Sequence, residues 1–117
     1  MKITLYGIPN CDTVKKARVW LAGQQHDFIF HDVRKQGLEH KVAAEWLQHL
    51  PWDVLVNRKG TTWRGLPDAR KAAILDAGSA LELMLEFPSV IKRPVLHLGD
   101  QLHVGFSDAQ YRQIFNS

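Results

Sequence analysis

The sequence predicts a single α/β domain with the element order β-α-β, then a helical middle, then β-β-α. Short apolar runs with the pattern of strands lie near both ends of the chain, and helical spacing dominates the segment between them. The length of 117 residues suffices for one modest core. Because no internal repeat, low-complexity segment or linker interrupts the chain, we expect one domain over residues 1–117.

The first third of the chain has the pattern of a β-α-β unit. Residues 2–6 alternate like a strand, and residues 11–23 carry apolar side chains at helical spacing. Apolar residues 28–30 begin a second strand, which fades near Val33. A strand, a helix and a strand in so short a segment predict a parallel pair joined by a right-handed crossover.

The middle of the chain is predicted to be mainly helical. The segments are a helix at 42–50, a short apolar stretch at 52–56, a loop at 57–62, a helix at 67–76 and a helix at about 80–86. Pro51 ends the first of these helices, since proline cannot continue one. Gly78 and Ser79 are expected to interrupt helical structure between the last two helices.

The last third returns to strands and ends in a helix. Residues 94–98 and 102–104 have the composition of strands, and Gly99-Asp100 between them suits a hairpin turn. Residues 107–110, Ser-Asp-Ala-Gln, match a capping box at the start of a final helix. The predicted ending is therefore β-β-α.

Composition and charge exclude several classes of protein. No apolar run approaches the ~20 residues of a membrane span, and residues 1–5 alternate like a strand rather than a signal peptide. One cysteine rules out a disulfide framework and suits a reducing compartment, so we expect a cytoplasmic protein. The net charge of +3 favours small anionic ligands, whereas the scattered basic residues argue against nucleic acid.

The single cysteine, Cys11, lies where the first predicted strand passes into the first predicted helix. Unpaired backbone N–H groups and a positive dipole at a helix start favour the thiolate, which is the attacking form. The alternative is a structural cysteine, since free Cys is among the most buried residue types. The neighbours favour a reactive thiol, because Gly7 and Pro9 shape a turn before it and polar Asp12 and Thr13 follow.

Three basic side chains and one proline are candidates for an anion site beside this thiol. Lys15 follows Cys11 by four residues and so lies one turn on along the same helix face. Arg58 lies in a predicted loop, and Arg93 precedes Pro94 in an X-Pro bond of the kind that can be cis. Guanidinium groups bind carboxylates and oxyanions through forked hydrogen bonds. Each could also be an ordinary exposed residue, and the sequence leaves open whether they converge.

Other site types find no support. The six histidines show no metal-ligand spacing, so no metal is expected. There is no glycine motif for phosphate and no arrangement of a serine, histidine and aspartate that would indicate a catalytic triad.

Four segments match a known family. They are Tyr-Gly-Ile-Pro-Asn-Cys at 6–11, Asn-Arg-Lys-Gly-Thr-Thr-Trp-Arg at 57–64, Pro-Ser-Val-Ile-Lys-Arg-Pro-Val at 88–95 and Gly-Phe at 105–106. On these residues the chain resembles the ArsC/YffB/Spx group of arsenate reductase-like proteins, and most closely its YffB-type branch. The resemblance implies a thioredoxin-like fold, with a core at about 1–33 and 90–117 and a helical insertion at about 38–87.

The same resemblance assigns roles to particular residues. It places the nucleophile on Cys11, the oxyanion-binding arginines on Arg58 and Arg93, and a cis-proline on Pro94. Two departures from the family pattern bear on function. Arsenate reductases of this group carry a further arginine near the last strand, where residues 102–106 have none. Spx regulators often use Cys-x-x-Cys, whereas Val14 occupies the second cysteine position here.

The expected function is therefore that of a monothiol oxidoreductase, with glutathione as co-substrate and no bound cofactor. Its substrate would be a disulfide or a small anion, attacked by Cys11 and held by Lys15, Arg58, Arg93 and Pro94. Without a second cysteine, an external thiol must release the mixed disulfide. Two alternatives stay open: an arsenate reductase, and an Spx-like regulator that binds RNA polymerase and has no enzymatic activity.

Overall fold

A mixed four-stranded sheet organises the two ends of the chain in the computed structural model, which describes residues 2–116. The strands are β1 (Ile3–Gly7), β2 (Ile29–Asp32), β3 (Val95–Leu98) and β4 (Gln101–Val104), in the order β2-β1-β3-β4. β1 pairs with β2 in parallel and with β3 antiparallel, and β3 and β4 form a hairpin. The predicted α/β class, the parallel first pair and the terminal hairpin are confirmed.

Seven helices accompany the sheet within residues 2–116. They are α1 (Asp12–Gly23), α2 (His40–His49), α3 (Trp52–Leu55), α4 (Thr61–Arg64), α5 (Asp68–Ala72), α6 (Ala77–Glu86) and α7 (Asp108–Phe115), with a 3-10 turn at Pro88–Val90. None of the helices in this part of the chain is both long and apolar enough to cross a bilayer.

The chain divides into two compact units. Residues 2–32 and 93–116 form the sheet unit, which contains all four strands together with α1 and α7. Residues 33–92 form the insertion unit, which contains α2 to α6 and the 3-10 turn.

The core of the sheet unit lies between one face of the sheet and the helices α1 and α7. Alternate residues of β1 point to this face, so Leu5 is fully buried together with Leu96 of β3. The cluster contains Ile3, Leu5, Ala17, Trp20, Leu21, Leu96, Leu98 and Tyr111. A hydrogen bond from Trp20 Nε1 to Asp108 Oδ2, 3.0 Å long, joins α1 to the start of α7. This packing fixes α1 against the sheet.

The insertion unit has its own apolar core around α6. This helix packs on α2 and on the 3-10 turn, and the fully buried side chains of this core include Trp46 of α2 and Leu83 and Met84 of α6. A bridge between Val56 and Ile91, with a 2.7 Å hydrogen bond from Lys92 N–H to the Leu55 carbonyl, ties the end of the unit to its middle.

The prediction that Gly78 and Ser79 interrupt helical structure was wrong. Both residues lie in the first turn of α6, which begins three residues earlier than expected. The Asp76 side chain accepts a hydrogen bond from Ser79 N–H, and the Ser79 hydroxyl oxygen accepts one from Asp76 N–H. This capping box allows α6 to begin just before the Gly-Ser pair, because it supplies partners for N–H groups of the first turn.

Other differences in the middle of the chain are small. The apolar stretch at 52–56 contains the helical turn α3, and the predicted loop at 57–62 ends inside another helical turn, α4. The helix expected at 67–76 is shorter, ending at Ala72. Helical turns of four residues carry too little periodic signal to be predicted from apolar spacing.

Candidate active site

Cys11 occupies the N-cap position of α1 and is partly exposed to solvent. Its backbone is extended, with φ −113° and ψ 125°, and its carbonyl accepts the Lys15 N–H at 2.9 Å. The thiol makes no capping hydrogen bond to the described residues. The sulfur therefore lies at the helix end where backbone N–H groups lack helical partners.

The turn that leads to Cys11 is fixed by a close approach between β1 and α1. A Cβ atom at Gly7 would lie 2.8 Å from Val14 Cγ2 and 3.1 Å from Val14 Cγ1, so only glycine fits without displacement. Val14 is fully buried, and Ile8 in the turn is 5% exposed. These contacts hold the cysteine at the carboxyl end of β1.

Pro94 lies at the same edge of the sheet. Tyr6 pairs with Val95 in antiparallel β1 and β3, so the residue before Val95 lies beside the carboxyl end of β1. The Arg93–Pro94 peptide bond is cis, and the Pro94 carbonyl accepts the Gly105 N–H at 2.8 Å. Gly105 has φ +82°, which suits glycine at the end of β4. Thus Cys11 and Pro94 flank one edge of the sheet unit.

Two candidate cations belong to this same unit. Lys15 is exposed, one helical turn beyond Cys11. Arg93 is half-buried directly before the cis bond, and its Nε atom is buried. The sheet unit therefore holds four of the five predicted site residues: Cys11, Lys15, Arg93 and Pro94.

Arg58, the fifth, belongs to the insertion unit and is exposed. It lies in a tight turn in which Asn57 Oδ1 accepts the Lys59 N–H at 3.1 Å and the Asn57 carbonyl accepts the Gly60 N–H at 3.2 Å. The Arg58 guanidinium carbon lies 5.5 Å from the ring centroid of Trp52, a distance compatible with a cation–π contact. The turn and the tryptophan together orient this arginine.

Residues 102–106, where arsenate reductases of this group carry a further arginine, form most of β4 and the two residues after it. His103 lies in β4, with Nε2 3.1 Å from Gln101 Oε1. Burial lowers the pKa of His103 below its usual value, which favours the neutral imidazole. This position therefore supplies no permanent positive charge for an oxyanion.

One residue of interest was not among the predicted site residues. Arg18 lies seven residues after Cys11 on α1, with its guanidinium carbon 4.2 Å from the ring centroid of Phe30. Spacings of four and seven residues place Lys15 and Arg18 on one stripe of the helix with Cys11. That spacing was the available signal, whereas the contact with Phe30 depends on how α1 packs beside β2. Within residues 2–116 no group of three metal-ligating side chains is found.

Comparison with known proteins gives a consistent result. The ArsC family model matches residues 6–114. A solved YffB protein is 45% identical, with a TM-score of 0.91 and coverage of 96% of this chain and 97% of that one. A solved arsenate reductase (ArsC) related protein from Brucella melitensis is 49% identical, with a TM-score of 0.78 and coverage of 100% and 97%. These likenesses confirm the predicted resemblance and the thioredoxin-like fold.

Two curated relatives extend the comparison. An uncharacterized protein of Haemophilus influenzae is 42% identical over 113 residues, covering 97% of this chain and 98% of its own. The global transcriptional regulator Spx 1 of Lactococcus lactis is 26% identical over 117 residues, covering 94% and 86%. Arsenate reductase-related proteins and a transcriptional regulator are thus similar to this chain, and together they support a thiol oxidoreductase-like function.

Proposed function

The chain belongs to the ArsC family, and from that premise we propose that it is a monothiol oxidoreductase with Cys11 as nucleophile and glutathione as co-substrate. The observation that carries this proposal is the position of Cys11, the only thiol of the chain, at the N-cap of α1 and at the sheet edge shared with Pro94. Thiols at helix N-termini that remain accessible are the reactive class.

The first step is thiol–disulfide exchange. The Cys11 thiolate attacks the glutathione sulfur of a mixed disulfide, a new S–S bond forms between Cys11 and glutathione, and the other sulfur leaves as a thiolate. The electron pair of the broken S–S bond leaves with that sulfur, which takes up a proton from solvent. The substrate is thereby reduced and Cys11 is oxidised.

The second step needs a thiol from outside the chain. No second cysteine exists to attack the mixed disulfide. A second glutathione thiolate attacks the glutathione sulfur bonded to Cys11, forming oxidised glutathione and releasing the Cys11 thiolate. The balance is one substrate disulfide reduced for one glutathione disulfide formed.

The basic residues fit the charge of this co-substrate. Glutathione carries two carboxylates, and Lys15 and Arg93 place cations in the unit that holds Cys11. In this proposal Lys15 and Arg93 bind the glutathione carboxylates, with the fork geometry of arginine favouring a paired contact. Arg58, an oriented guanidinium in the insertion unit, stays a predicted ligand.

Mass spectrometry of the intact chain tests the proposal. Incubation with oxidised glutathione is expected to add one glutathionyl group, and Cys11→Ser is expected to abolish both this adduct and glutathione-dependent disulfide reduction. Lys15→Gln should raise KM for glutathione about threefold, because an exposed ion pair contributes ~1 kcal/mol or less. Lys16→Gln removes the same charge from a position off the Cys11 stripe and should leave KM unchanged. Absence of any adduct on Cys11 would overturn the proposal.

Arsenate reduction is a second candidate, favoured by the 49% identical relative described as arsenate reductase-related. The lack of an arginine in residues 102–106 weighs against it. Turnover of arsenate with glutathione, lost in Cys11→Ser, would establish this activity in place of the first.

A regulatory role through RNA polymerase is the remaining alternative, suggested by the 26% identical Spx 1. In that case Cys11→Ser would retain function, and purified polymerase would bind the chain in a pull-down. Catalysis lost in Cys11→Ser, with no polymerase retained, would exclude it.

A further inference from the structure

A groove of about 480 Å³ follows the outer side of α1 in the sheet unit. Its described lining residues are Lys15, Arg18, Val19, Ala22 and Phe28. All five belong to the sheet unit, four of them on α1 itself and one just before β2.

Three lining residues of the groove share one stripe of α1 with the nucleophile, Cys11. Cys11, Lys15, Arg18 and Ala22 are spaced by four, three and four residues, which is the repeat of one helix stripe. At a rise of about 1.5 Å per residue, Lys15 lies ~6 Å, Arg18 ~10 Å and Ala22 ~16 Å beyond Cys11 along the axis. The groove therefore leads away from the sulfur over the length of α1.

Its chemistry changes along that path. Lys15 and Arg18 make the half near Cys11 cationic, and none of the described lining residues is acidic. Val19, Ala22 and Phe28 make the far half apolar, and Val19 is 72% exposed. Arg18 is held in place by its contact with Phe30. An occupant complementary to this surface is acidic near the reacting sulfur and apolar further away.

We propose that the groove binds the polypeptide part of the substrate, so that the disulfide attacked by Cys11 is one between glutathione and a protein cysteine. This inference rests on the proposed function. An extended peptide advances about 3.3 Å per residue. Arg18 then faces the side chain about three residues from the substrate cysteine, and Ala22 faces the fifth, on the same side of an extended peptide. The recognised segment has an acidic residue at the third position and an apolar one at the fifth.

The chemical step follows the exchange already described. Cys11 attacks the glutathione sulfur, the bond between glutathione and the peptide cysteine breaks, and the peptide leaves the groove as a thiolate that takes a proton from solvent. A second glutathione regenerates Cys11. The groove from Arg18 onward thus holds the leaving peptide, whereas Lys15 and Arg93 hold the glutathione that stays on Cys11.

Synthetic peptides test this assignment. Each carries one cysteine joined to glutathione, with a glutamate three residues away and a leucine five residues away, in both chain directions. A matched pair replaces the glutamate by lysine. The acidic peptide of the preferred direction is expected to react about three- to fivefold faster in kcat/KM than its lysine counterpart at low salt. High salt should reduce the difference.

Variants of the groove give the second arm. Arg18→Gln should lower kcat/KM for the acidic peptide about three- to fivefold, while Lys16→Gln, with the same charge loss off the stripe, should not. Val19→Glu should slow the acidic peptide further without loss of folding, because the side chain is exposed. Unfolding midpoints of all variants check that they fold.

The outcomes separate the two proposals. If no substrate forms an adduct on Cys11, the proposed function fails. If oxidised glutathione reacts at Cys11 but the acidic and lysine peptides react equally, or Arg18→Gln and Lys16→Gln behave alike, the groove assignment fails while the proposed function stands.

Discussion

Substitution of Gly7 by alanine tests how the fold holds Cys11 in place. The new Cβ would lie 2.8 Å from Val14 Cγ2, whereas carbon atoms in contact are normally about 3.5–4.0 Å apart. Val14 is fully buried and β-branched, so its side chain cannot turn away easily. We therefore expect the end of β1 and the first turn of α1 to be pushed apart.

The expected magnitude follows from two opposing effects. Overpacking a core site costs about 1–3 kcal/mol, and replacing glycine in a strand recovers about 0.5–1 kcal/mol. Gly7→Ala should then lower the free energy of unfolding by about 1.5 kcal/mol. Val14→Ala alone should cost about 2 kcal/mol through two lost methyl groups and the space they leave. In the double variant the new methyl occupies part of that space, so the combined loss should be about 2 kcal/mol rather than the sum.

Urea unfolding of the four chains measures this coupling, with the slope m checked for constancy. Alkylation of Cys11 gives an independent reading, since its rate should change in Gly7→Ala and return towards the original in the double variant. Losses that add to within about 0.5 kcal/mol would refute the contact between Gly7 and Val14 as the cause.

Three further predictions concern stability and titration. The Tyr111 hydroxyl is buried without a hydrogen-bond partner among residues 2–116. Tyr111→Phe should therefore raise the free energy of unfolding by about 1 kcal/mol and Tm by ~4 °C. A lower Tm in calorimetry would contradict this. Burial raises the pKa of Tyr111, so above a pH of about 10 the unfolded chain loses the hydroxyl proton while the folded chain keeps it. The free energy of unfolding should therefore fall as pH rises in this range. In Tyr111→Phe, unfolding followed against pH should show a less steep fall. The backbone and then the hydroxyl of Ser79 lower the pKa of Asp76 by hydrogen bonding, so Ser79→Ala should move its NMR titration upward, and an unchanged titration would refute this cause.

Local patterns predicted what local physics decides. Cys11 lies at the start of α1 because the turn before it and the apolar spacing after it are both encoded within a few residues. Ser107 caps α7 through a hydrogen bond from Gln110 N–H, which is half of the predicted capping box, whereas the Gln110 side chain donates to the Val104 carbonyl instead. Asp76 and Ser79 form a full capping box on α6, although the Gly-Ser pair at 78–79 favoured a break. The side-chain hydrogen bonds outweighed the weak helix propensity of that pair.

Contacts between distant segments could not be predicted in this way. The groove beside α1 exists because Phe28 and Phe30 lie next to this helix in the folded chain, and nothing in their spacing from Arg18 indicates that contact. The sequence suggested which basic residues belong to a site with the thiol, and that assignment stays a prediction. Which of them share a compact unit with it emerged only from the fold, which places Arg93 with Cys11 in the sheet unit and Arg58 in the insertion.

The attachment of the insertion unit has an entropic consequence. Its two ends leave the sheet unit after β2 and before β3, the strands on either side of β1, and so about 10 Å apart at the edge that carries Cys11. If residues 33–92 were unfolded, holding that long loop closed would cost the sheet unit on the order of 4 kcal/mol. Folding of the insertion removes most of this cost by fixing its own ends. Substitutions buried around α6 therefore weaken the sheet that presents Cys11 through the entropy of this loop.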